Sequence, residues 1–208
     1  MTLRLTACAV FLAMAGLVAV TAVPSAPAVA EPGSWIEPPA KTPRLRPGDR
    51  NNLEFLFQAL KVAPDEASSK SVEEKIWALW MVSPSDTANL LMTRVKTAMD
   101  GEDLDLAIRL LDSIIEIKPD YAEAWNRRAT AYYMKKDFAR AMADIRQVLA
   151  REPRHFGAIA GLGMIMRDLG EDKYALDMFR RALAIHPRLP RLPELVKDLA
   201  EKVDGRDI

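Results

Sequence analysis

Cysteine is nearly absent from this chain and histidine is scarce: Cys8, His155 and His186 are the only residues of the two types in 208. Cys8 lies in the apolar N-terminal run, so the remainder has no thiol. Disulfides, thiolate metal sites and cysteine nucleophiles are excluded from it. A metal site needs several converging ligands, and the two histidines, both close to expected inter-helix turns, read as surface or capping residues. Neither sign of charge is in excess, with 29 Lys and Arg against 29 Asp and Glu. That removes the usual argument for nucleic acid or an anionic membrane as partner. HExxH, a Walker loop, GxSxG and a dinucleotide glycine fingerprint are missing, and Gly161-Leu162-Gly163 is too short for the last. No two carboxylates are paired for acid–base work. The chain is therefore expected to need no cofactor or metal and to be no enzyme.

What is present begins with MTLRLTACAVFLAMAGLVAVTAVPSAPAVA. A single charge, Arg4, precedes an apolar run that ends on Ala28-Val29-Ala30. This is the pattern of a secretory signal, with cleavage expected after Ala30 and a periplasmic address. The run from Leu5 to Val23 approaches the roughly 20 residues that cross a bilayer, so an uncleaved anchor is the alternative. Leu5-Thr6-Ala7-Cys8 has the outline of a lipoprotein box but precedes the apolar run instead of following it. Without residues 1–30 the chain keeps 28 basic and 29 acidic residues, a net charge of −1. Residues 31–50 carry five prolines, which deny helix or central strand and predict a stiff, extended linker.

From Asn51 onward the hydrophobic spacing is helical. Pro119, Pro153 and Pro187 recur every 34 residues, as do Ala107, Ala141 and Ala175. Three units follow: 88–121, 122–155 and 156–189. Small residues at the eighth and twentieth positions let two helices approach, and large ones at the fourth, eleventh and twenty-fourth fill the space around them. Trp125, Ala129, Tyr132, Ala141 and Pro153 are the second unit's set. Asp103 and Asp137 are placed to cap second helices, and each proline stops one. Asp120 with Glu123, and Ser71 with Glu74, match capping boxes. Residues 51–62 and 71–82 read as a further helical pair, a degenerate repeat within 51–87 whose Ile76, Trp77, Leu79 and Trp80 suit a core. PRLPELVKDLAEKV predicts a C-terminal capping helix within 190–208, with Leu195, Leu199 and Val203 on its buried side.

This spacing resembles the tetratricopeptide repeat (TPR), most closely in the second unit. YAEAWNRRAT, DIRQVLAREPRHFGAIAGLG and the terminal VDGRDI also resemble exported TPR proteins of alphaproteobacteria. The resemblance implies an all-α, right-handed solenoid of helix-turn-helix repeats and a non-catalytic scaffold that holds a protein or peptide partner in a concave groove. On the family's pattern the groove residues include Lys96, Asn126, Arg127, Thr130, Tyr133 and Arg167. Lys96, Asn126 and Arg127 partly resemble a clamp for a terminal carboxylate, chemistry that arginine and asparagine suit. Met92, Met99, Met134 and Met164 would add a deformable floor. Adjacent helical residues point about 100° apart, so Arg127 is expected to face the groove and Arg128 the helix packing, beside Asp112 or Asp144. Arg94 stands at the same place as Arg128 one unit earlier and is expected to be structural too. Two other readings stay open: self-association through terminal helices, and a holder of unfolded or apo-protein tails.

Overall fold

The computed structural model describes residues 53–205; the signal segment, its cleavage point and the Pro-rich stretch 31–50 lie outside them. The helices are α1 (Leu53–Lys61), α2 (Glu66–Met81), α3 (Asp86–Asp100), α4 (Leu104–Ile117), α5 (Ala122–Met134), α6 (Phe138–Arg151), α7 (Phe156–Asp168), α8 (Asp172–Ile185) and α9 (Leu192–Asp204). No strand occurs among the described residues. The fold is all-α. The pairs α3–α4, α5–α6 and α7–α8 are the three 34-residue units, and each second helix packs on the next unit's first helix.

The repeat's packing logic holds atom by atom. Ala107, Ala141 and Ala175 have no exposed surface. At the eighth position stand Val95, Ala129 and Gly163, all buried. A Cβ on Gly163 would lie 2.4 Å from the Phe179 ring, so only glycine allows that approach. Asp103 and Asp137 cap α4 and α6 by accepting from the amides of Leu106 and Arg140. Helices α4, α6 and α8 each end two residues before Pro119, Pro153 and Pro187. The turn inside each unit puts the same residue in left-handed backbone: Glu102 and Lys136 at φ 58° and Gly170 at φ 81°. Burial of Leu111, Ile114, Val148 and Phe179 stabilises the stack by about 1.5–3 kcal/mol per side chain. Helix α9 covers α8 with Leu192 and Leu199 buried and Leu195 and Val203 half-buried.

Three local expectations are corrected. Helix α2 starts at Glu66 under an Asp65 cap, a turn before the Ser71 box. Helix α5 is preceded by Tyr121 with no side-chain cap, and Glu123 turns into the protein instead of back to the helix start. The pair α1–α2 is helical, but it meets the first unit mainly through Met81 at its end and otherwise reaches α5, α7 and α8.

Candidate functional site

The first helices α3, α5 and α7 line the inner face. Over the second and third units that face is covered by the chain itself. Trp77, with 1% of its surface exposed, packs edge-on to His155 and Phe156 at 5.4 and 5.5 Å. A Cβ on Gly157 would lie 3.1 Å from the Trp77 ring, so this glycine makes room for the tryptophan. Trp80 stacks on His155 at 4.1 Å and 10°. The Tyr121 hydroxyl donates to the Met81 carbonyl at 2.7 Å, and burial pushes its own proton affinity up. Polar contacts tie down the other end of this α1–α2 hairpin. Glu73 accepts from Trp77 Nε1 at 3.1 Å and faces His186 Nε2 at 3.1 Å. Arg188 donates to the carbonyls of Ala63 and Pro64 at 3.2 and 2.8 Å, and Arg154 pairs with Glu54 at 2.5 Å.

Beneath this cover lies a buried polar cluster. Glu123 is fully buried, and its Oε1 lies 3.2 Å from Arg127 Nε, in ion-pair range but out of line for a hydrogen bond. Arg127 Nη2 points at Met81 Sδ, 3.3 Å away. Asn126 donates to Glu123 Oε2 at 3.1 Å. His155 accepts the Ala158 amide on Nδ1, which puts its proton on Nε2, 3.4 Å from Glu123 Oε2. Glu123 Oε1, Asn126 Oδ1, Arg127 Nε, Trp80 Nε1 and His186 Nδ1 have no hydrogen-bond partner among the described residues.

The expected basic track is therefore not an open one. Arg127, with 9% of its surface exposed, is a core residue and not a groove-facing one. Thr130 is buried and bonds the Asn126 carbonyl, and the Tyr133 hydroxyl donates to Asp168 at 2.7 Å. Arg167 lies 3.4 Å from Asp168, and exposed Lys96 pairs with Asp100 at 2.6 Å. His155 and His186 are not surface residues, since neither exposes any area; His155 does cap α7. The floor methionines Met92, Met99 and Met164 are buried, and Met134 is half-buried. What stays open on the inner face is a depression of about 300 Å³ lined by Met81, Val82, Asn89, Met92, Thr93 and Lys96.

Arg128 is held as its position requires. It donates twice to Asp144 at 2.8 Å and once to Asp112 at 2.6 Å, and it lies 4.9 Å from the Trp125 ring centre. Hydrogen bonds to Asp144 lead in holding its proton more firmly than usual. Trp125 is anchored by its Nε1 bond to the Pro119 carbonyl at 2.9 Å. Arg94 departs from expectation: it is exposed and forms no ion pair among the described residues, because Leu110 stands where α6 offers Asp144. No cluster of metal-ligating side chains occurs among the described residues, and none of their helices is long and apolar enough to cross a membrane.

Comparison with known proteins agrees with this architecture. Residues 122–155 match the family model described as tetratricopeptide repeat. A TPR repeat-containing protein of Rhizobium etli is 39% identical over 156 residues, covering 75% of this chain and 76% of that one. Among solved structures, the first TPR of Spaghetti (RPAP3) bound to HSP90 peptide SRMEEVD superimposes with a TM-score of 0.55 at 20% identity, over 58% of this chain and 95% of that one. The MamA protein does so with a TM-score of 0.53 at 19% identity, over 76% and 85%. The two structural likenesses concern the fold. With the 34-residue period, the packed helix pairs and the Rhizobium relative together, the chain belongs to the family of tetratricopeptide-repeat proteins.

Proposed function

We propose that this chain is an exported, non-catalytic interaction module of the bacterial periplasm that holds an extended segment of a protein partner on the inner face beside α3. The observation that carries this is the open depression at Asn89, Met92, Thr93 and Lys96, next to inner-face positions that the chain has filled for itself. A lysine amine and an asparagine amide beside a methionine suit a peptide with acidic groups. The acidic HSP90 peptide SRMEEVD in the Spaghetti structure supports that choice of first probe.

Fluorescence anisotropy with labelled SRMEEVD tests the site. Lys96→Glu reverses an exposed charge and turns the i,i+4 pair with Asp100 repulsive, so the fold is kept and stability falls by no more than about 1 kcal/mol. Binding should weaken at least about fivefold, near the upper end for an exposed ion pair. Wild-type affinity in the folded variant would remove the α3 depression as the site. Export has its own test: mass analysis of the native protein should give a chain beginning at Glu31, whereas an intact Met1 would mean an anchor.

A further inference from the structure

Each repeat's first helix turns one side to the second helix of the unit before it. In α5 that side is Ala124, Arg128, Ala131 and Lys135. Both alanines are fully buried, Arg128 reaches back to Asp112 of α4 at 2.6 Å, and Lys135 pairs with Asp105 of α4. The matching residues of α7 include Ala158 and Ile165, buried in the same way. In α3 the matching residues are Leu90, Arg94, Thr97 and Gly101, and all four are exposed, Leu90 by 59%. Helix α2, which chain order would put there, lies over α5 and α7 instead. Leu106 and Leu110 of α4 continue the uncovered side, and with Arg94, Thr97 and Ala98 they line an open depression of about 530 Å³.

We propose that this α3–α4 end face docks a helix of another protein, one with an apolar stripe for Leu90, Leu106 and Leu110 and a carboxylate set against Arg94. The internal register supplies the chemistry, because the helix covering the same side of α5 carries Asp112 against Arg128. Charge argues against the nearer occupants. Two copies face to face would each bring Arg94, and the one carboxylate lining the depression, Asp103, is already held as the α4 cap. A second copy stacked head to tail would present the outer side of α9, which covers α8, and its exposed Glu194, Lys197, Asp198 and Glu201 offer no apolar stripe to Leu90, Leu106 and Leu110. Residues 31–50 have five prolines against helix, and Lys41, Arg44 and Arg46 share the sign of Arg94.

The test uses the full chain and a helix-stabilised peptide copied from residues 103–118, the helix that covers this side of α5. Titration followed by NMR should shift Leu90, Arg94, Thr97 and Leu106 saturably. Arg94→Glu, an exposed change that leaves the fold intact, should weaken binding at least about tenfold, in line with a desolvated arginine–carboxylate pair. A peptide with Asp112→Lys should bind Arg94→Glu as the original peptide binds the wild type. No binding, shifts confined to Asn89 and Lys96, or a charge reversal without rescue would each overturn the proposal. So would sedimentation showing wild-type dimers that Arg94→Glu dissociates, which would make the occupant a second copy.

Discussion

Arg127→Ala should lower stability in urea by about 3–5 kcal/mol, the usual loss when one member of a buried ion pair is removed. The guanidinium lies 3.2 Å from Glu123, whose side chain has no exposed area, so truncation leaves a buried carboxylate without its cation. Adding Glu123→Gln to Arg127→Ala should recover a large part of the loss, because the stranded charge goes with it. Arg128→Ala belongs to the same class, since Asp144, 5% exposed in the intact pair, loses the cation that holds it. The two neighbouring arginines are thus expected to behave alike. A wild-type midpoint for Arg127→Ala would mean that the inner face opens to solvent and that this arginine is free to read a ligand.

The all-α repeat was legible because its determinants are local. Close helix approach needs Ala107, Ala141 and Ala175 at one spacing, and chain reversal puts Pro119, Pro153 and Pro187 at another. Arg128 was legible for a similar reason: a cation on the packed side of a helix requires acids within reach, and Asp112 and Asp144 sit on the two adjoining helices. Arg127 was not, because its surroundings are set 46 residues away in sequence, where Met81 ends α2. The family's map of inner-face positions assumes nothing lies on them. Two features of the sequence point to the cover after the fact: a glycine at 157, the second position of its unit, and two tryptophans three residues apart on α2. Glu123 illustrates a conflict between levels. Its spacing from Asp120 satisfies a capping box, yet its carboxylate is taken by Arg127, Asn126 and His155. Arg94 misled in the opposite direction, since Leu110 replaces the acid that α6 offers Arg128, and no preceding helix is stacked on it to bring another.

Trp77→Ala should detach the hairpin from the repeats without unfolding them. The ring is the largest side chain buried in the joint, set against Phe156 and into the gap at Gly157, and truncation of a buried tryptophan costs about 3–5 kcal/mol. The indole also donates to Glu73, so its loss leaves that carboxylate with His186 alone. What remains holding α1 and α2 is the buried packing of Leu56, Phe57, Leu60 and Ile76, the Trp80–His155 stack, the Tyr121–Met81 bond, the exposed Glu54–Arg154 pair and the bonds from Arg188. An exposed pair contributes at most about 1 kcal/mol. Leu111 and Ile114 belong to a core separate from this ring, and Val148 and Phe179, though in the same core as Trp77, lie between the paired helices of their own units. Hydrogen exchange of the full chain should therefore show α1 and α2 losing protection in Trp77→Ala while α4, α6 and α8 exchange as in the wild type. Equal loss across α3–α8 would show that the hairpin and the repeats form one cooperative unit. Unchanged protection of α2 would show that Trp77 does not hold the joint. In the opened variant Arg127, Asn126 and Glu123 meet water, and their unpaired atoms gain the partners that the closed hairpin denies them.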